Sequence, residues 1–98
     1  MPQFIAAVRR NLDQFSASDY TPELLEDEAQ RVRQLYADGI FREVWSRGDH
    51  PGAVILIEAG TPDEAQAVLA SLPFAIREML TLDVLVPIIP YRGFGPRG

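Results

Sequence analysis

Three consecutive stretches decide the fold: IFREVWSR (40–47), GDHPG (48–52) and AVILIEA (53–59). The outer two are rich in β-branched and aromatic residues. The middle one places two glycines and a proline within five positions. Together they read as two strands joined by a tight turn, a β-hairpin. A helix signal flanks the hairpin on each side. Upstream, Thr21 is an N-cap, Pro22 takes the first helical position, and acids fill the first turn. Leu25, Ala29, Val32, Leu35 and Tyr36 then recur at helical spacing until Gly39 ends the run. Downstream, Thr61-Pro62-Asp63-Glu64 repeats the signature, with Glu64 at the third helical position as in a capping box. Ala65, Val68, Leu69 and Leu72 supply the apolar face, and Pro73 stops the helix.

Two further apolar runs complete the pattern, QFIAAV (3–8) and MLTLDVLV (79–86). Residues 9–20 form a polar loop of a length that invites a functional reading. The element order is β-α-β-β-α-β. It predicts an α+β, ferredoxin-like fold: a four-stranded antiparallel sheet with two helices on one face. The division expected is a domain over 1–88 and a Pro/Gly-rich C-terminal arm over 89–98. The arm keeps Tyr91 and Phe94, which suits an extended segment lying on a partner subunit; a frayed terminus is the competing view.

A sheet covered by helices on one side has a polar face on the other. These strands do not alternate in that way. Phe4, Ala6 and Val8 alternate with Ile5 and Ala7. Val54 and Leu56 alternate with Ile55 and Ile57, and Leu80, Leu82, Val84 and Val86 with Thr81, Asp83 and Leu85. Both faces are apolar in three of the four strands, so the second face is expected to pack on a second copy. Two sheets face to face make a dimeric α+β barrel, a homodimer or a higher oligomer built from it.

The 98-residue chain carries a formal charge of −5, and its nine basic residues are all Arg. Without Lys there is no Schiff-base chemistry and no Walker-type phosphate loop. Without Cys there is no disulfide framework, thiolate zinc site or Cys nucleophile. The arginines form no basic stripe, so nucleic acid is not an expected partner. No apolar run approaches the ~18 residues of a membrane span, and no signal pattern opens the chain. The expectation is a soluble cytoplasmic protein with no membrane partner.

The stretch Gly39-Ile40-Phe41-Arg42-Glu43-Val44-Trp45, then His50, resembles the muconolactone isomerase family of the dimeric α+β barrel superfamily. The resemblance continues through Thr61-Pro62-Asp63-Glu64-Ala65, Leu72-Pro73-Phe74 and the last strand with Asp83. It covers residues 24–86, and its most specific part is Arg-x-x-Trp followed by the turn His. What it implies is a cofactor-independent isomerase with no metal. Such an enzyme moves a proton and a double bond in a small unsaturated lactone or related metabolite, in a pocket between sheet and helices. A cofactor-free monooxygenase belongs to the same superfamily. A non-catalytic dimeric ligand-binding or accessory protein is the reading from another class.

The residues that could carry proton transfer are few. His50 is the only histidine and the only side chain whose ordinary pKa lies near neutrality. It is the candidate acid/base, or else a solvated turn residue. Arg42 could hold a carboxylate or enolate through its guanidinium fork, or pair with an acid. Asp83, in mid-strand, is a base with a raised pKa or the partner of an Arg. Trp45, Tyr20 and Phe4 are candidates to line the substrate pocket. The face taken by Arg42 and Trp45 stays open, although strand alternation places Arg42 opposite Glu43.

Overall fold

The computed structural model describes residues 2–94. The elements run β1 (Gln3–Arg10), α1 (Pro22–Ala37), β2 (Phe41–Ser46), β3 (Gly52–Glu58), α2 (Pro62–Ala70), α3 (Pro73–Ile76) and β4 (Leu80–Ile88). Short 3-10 turns cover Ala17–Asp19 and Arg92–Phe94. The four strands form one antiparallel sheet in the order β2-β3-β1-β4, an α+β arrangement compatible with a ferredoxin-like fold.

The local signals explain the helices. The Thr21 hydroxyl accepts from the Leu24 N–H at 3.2 Å, and the Thr61 hydroxyl from the Glu64 N–H at 3.1 Å. Each cap satisfies one of the donors that a helix start leaves unpaired. Gly39 adopts φ +77°, the left-handed conformation that lets the chain leave α1 for β2. Pro73 ends α2, as the sequence predicts. It also opens α3, a helical turn not expected from the sequence, because the same fixed φ that stops one helix suits the first position of the next.

Two β-bulges break the expected alternation. In β4, Ala7 pairs with Val84 and Val8 with Leu82, which leaves Asp83 as the extra residue. In β2, Phe41 pairs with Ile57 and Glu43 with Leu56, which leaves Arg42 extra. A bulge resets the parity of a strand by one residue. Glu43 therefore shares a face with Leu56, and Arg42 reaches Glu58 on that same face, at 3.7 Å. Alternation alone had placed Arg42 and Glu43 on opposite sides.

The helices cover the face that carries Phe4, Ala6 and Val8. These pack with Leu35, Phe41, Ile55, Ile57, Ala65, Leu69 and Leu72 into one buried cluster. A smaller cluster joins Tyr20, Leu24, Phe74 and Met79 at the end of the sheet where β1 finishes. Beyond β4, Tyr91 packs on Phe94 with ring centroids 4.9 Å apart, and both rings are exposed. Positions 95–98 of the expected arm lie outside the described residues. Among the described residues no helix is long and apolar enough to cross a membrane.

Candidate functional site

Between the sheet and the helices lies a half-open cavity of about 150 Å³. An apolar void of that size holds a molecule about as large as benzene. Val8, Ile55 and Leu80 form its floor, and Val32, Leu72 and Phe74 form the helical wall. Gly52 lets the floor close, because a Cβ there would lie 2.1 Å from the Val8 carbonyl oxygen. The charged residues of the lining are Arg10, from the end of β1, and Glu28, from α1.

Glu28 belongs to the buried stripe of α1. Leu24 and Leu35 are buried and Val32 is half-buried, and Glu28 falls four residues after Leu24 and four before Val32. Its Oε1 accepts from the Phe74 N–H at 3.0 Å. Oε2 makes no hydrogen bond among the described residues. Burial raises the Glu28 pKa above the ordinary carboxylate value. The Phe74 hydrogen bond and the positive charge of Arg10 oppose that rise without cancelling it.

Arg10 is held by rings rather than by acids. Its guanidinium carbon sits 5.1 Å from the Tyr20 ring centroid and 5.5 Å from that of Phe74, within cation–π range. Those rings meet edge to face at 5.1 Å. The guanidinium donors make no hydrogen bond among the described residues. The backbone N–H of Arg10 donates to the Pro51 carbonyl at 2.9 Å, which ties the end of β1 to the hairpin turn.

The sequence candidates lie elsewhere. Tyr20 and Phe4 are buried in the two core clusters, outside the cavity lining. The Tyr20 hydroxyl donates to the Met79 carbonyl at 2.6 Å and accepts from the Asn11 N–H at 3.0 Å. Asn11 extends this network: its Nδ2 donates to the Glu78 carbonyl at 2.8 Å, and its Oδ1 accepts from the Thr81 hydroxyl. Glu78 stands at φ +60°, so Asn11 braces a left-handed residue between α3 and β4. Trp45 pairs with Val54 on the uncovered face and is 48 % exposed.

Asp83 lies on that uncovered face between two guanidinium groups. Arg47 Nη1 reaches its Oδ2 at 2.7 Å and Arg9 Nε its Oδ1 at 2.9 Å. Arg47 first, then Arg9, holds the Asp83 pKa below the ordinary range, so this carboxylate is a charged partner rather than a base. Arg47 also forks onto Asp49 with bonds of 2.8 and 2.9 Å, which drives the Asp49 pKa down as well. His50 is exposed in the turn. It lines an open recess with Arg9, Arg10, Leu12, Asp13 and Pro51, and Arg10 is the residue this recess shares with the cavity. Arg42 is exposed beside Glu58.

The structure thus brings Arg10 and Glu28 together and keeps His50, Arg42, Asp83 and Trp45 on the outside. One signal could have found Glu28, namely a carboxylate in the Leu24–Val32 apolar stripe. Among the described residues no three His, Asp or Glu side chains gather as a metal-binding group. No protein-family model and no curated protein matches this chain.

Proposed function

We propose that this chain is a cofactor-independent isomerase that moves a proton within a small unsaturated lactone or related metabolite. One observation carries the reading: a carboxylate of raised pKa, with one oxygen making no hydrogen bond among the described residues, stands in a small, mostly apolar cavity. A general base works best when its pKa lies near the working pH, and burial moves Glu28 in that direction. Glu28 Oε2 takes a proton from the saturated ring carbon at the far end of the C=C bond that is conjugated to the lactone carbonyl. The C–H electron pair moves into the ring and gives a dienolate. The same carboxyl group returns the proton to the carbon next to the carbonyl. Atoms and electrons balance without an oxidant or reductant, so the chemistry needs no cofactor. The cavity matches a five-membered ring in size, and its open side lets the carboxyl proton exchange with solvent. The likeness of the Arg42–His50 hairpin to muconolactone isomerases supports the same class, although here the acid/base moves from His50 to Glu28.

The uncovered sheet face supports a homodimer of the dimeric-barrel kind. Trp45, Val84, Val86 and Ile88 are each more than a third exposed there, beside Ile5 and Leu56. At ~150–250 Å² per large side chain, their exposed parts come to roughly 300 Å² per copy. Covering that area is worth about 7 kcal/mol per copy at ~25 cal/mol per Å². Arg9, Arg47 and Asp83 at one end and Arg42 and Glu58 at the other form a charged rim.

A second reading is favoured by the Phe74 hydrogen bond. In it Glu28 only pins α3 to α1, and the cavity is a binding pocket in a non-catalytic dimer. Proton NMR in D₂O with muconolactone as substrate separates the two. The isomerase reading expects wild-type protein to speed both deuterium uptake and double-bond migration, and Glu28→Gln to lose at least about 100-fold in rate. Equal rates for the variant and the wild type would refute the assignment of the base.

A further inference from the structure

We propose that Arg10 is the specificity-determining residue of a two-compartment site, and that its ligand is an anion with an apolar end of about one ring. The proposal rests on reading the inner cavity as the substrate site, and goes beyond it by assigning the ligand's charge and orientation. Arg10 lines both the inner cavity and the outer recess, and is the charged residue common to them. The Tyr20 and Phe74 rings hold its guanidinium in place without using its N–H groups. A guanidinium offers five donors in a planar fork matched to a carboxylate. Here those donors have no protein acceptor among the described residues.

The neighbours separate this arginine from the other cations of the region. Arg9 and Arg47 already serve Asp83, and Arg47 also serves Asp49. Glu28 lies near enough for Arg10 to lower its pKa, yet none of the ion pairs among the described residues joins the two. The unpaired fork therefore faces a place where a ligand's negative group can sit. The apolar end of that ligand points inward, toward Val32, Ile55 and Leu72. Its anionic end stays at the Arg10 guanidinium, on the side of the recess that His50 and Pro51 line. A neutral ring would fill the cavity but leave the fork unpaired. A dianion would meet Asp13 in the recess or Glu28 inside.

The test is a titration of the full-length ¹⁵N-labelled chain with phenylacetate and with neutral phenylacetamide, followed by amide chemical shifts. Wild-type protein is expected to bind phenylacetate saturably, with the largest shifts at Gly52, Ala53 and Phe74. Arg10→Gln is expected to weaken phenylacetate at least about tenfold and to leave phenylacetamide unchanged, since a charge-assisted fork is lost. Arg10→Lys keeps the charge without the fork and should fall between the two. A dispersed amide spectrum for either variant shows that it is folded. The proposal is overturned if phenylacetate binds wild type and both variants alike, if wild type shows no saturable binding, or if the shifts fall on the Trp45 face. Glu28→Gln keeps the anchor, so its phenylacetate affinity should hold or rise. If binding depends on Arg10 but turnover ignores Glu28, the isomerase reading alone fails. If turnover depends on Glu28 but binding ignores Arg10, the anchor alone fails.

Discussion

Tyr20→Phe separates a structural phenol from a functional one. The substitution removes one oxygen and keeps the ring that supports Arg10. That oxygen makes two hydrogen bonds, to the Met79 carbonyl and from the Asn11 N–H. Leaving a buried partner unsatisfied costs about 1–3 kcal/mol per group, so two orphaned groups would be a severe loss. The geometry sets a smaller figure. The Asn11 N–H also donates to the Met79 carbonyl directly, at 3.1 Å. Without the hydroxyl those two groups still satisfy each other. The loss is then close to the net value of one hydrogen bond, about 1 kcal/mol. In a domain of about 100 residues that lowers Tm by roughly 4–8 °C. Thermal melts by circular dichroism, with urea titration as the second probe, measure it. Ligand binding and turnover should stay near wild type. An unchanged Tm with lost activity would refute the reasoning and make the phenol a catalytic group. A loss above about 3 kcal/mol would show that the Asn11–Met79 contact cannot stand alone.

Val86→Glu places a carboxylate on the uncovered sheet face of each copy. Sedimentation velocity should show monomer at concentrations where the wild type is dimeric, and a wild type that stays monomeric would sink the dimer. Glu28→Gln should stabilise the fold at neutral pH, because it removes a carboxylate whose pKa is raised by burial and keeps an oxygen for the Phe74 N–H. The penalty of the charged form is fully present above the folded pKa and is relieved as pH falls through it toward the ordinary value near 4.3. The variant's advantage in urea titrations should therefore shrink as pH falls from neutral toward the ordinary carboxylate value, and a gap that stays flat would contradict it.

Most of the architecture was legible locally. Thr21-Pro22, Gly39 and Thr61-Pro62 mark helix ends through backbone donors and φ angles, which depend on neighbours in sequence. The apolar second face of the sheet was legible for the same reason, since alternation is a property of each strand. α3 was missed because Pro73 carries two meanings, a stop for α2 and a start for the next turn. The site was the least legible part. His50, Arg42 and Asp83 stand out in the sequence by residue type and by the likeness of their hairpin and last strand to a known family, and in the fold that hairpin and strand turn them outward. Tyr20 is spent on the backbone of Asn11 and Met79, and Phe4 on the core.

Sequence alone determined where α1 and α2 begin, the order of the four strands and these two helices, and that three of the four strands carry apolar groups on both sides. These follow from short-range preferences of backbone and side chain. Tertiary structure decided which face each group takes and which charges meet. Two single-residue bulges, at Arg42 and Asp83, reverse strand parity, and a bulge is defined only by the register with a partner strand. Arg10 and Glu28 stand far apart in the chain and become neighbours only when the end of β1 and the inner face of α1 pack together. The environment that raises the Glu28 pKa, and the rings that hold Arg10, exist only after that packing.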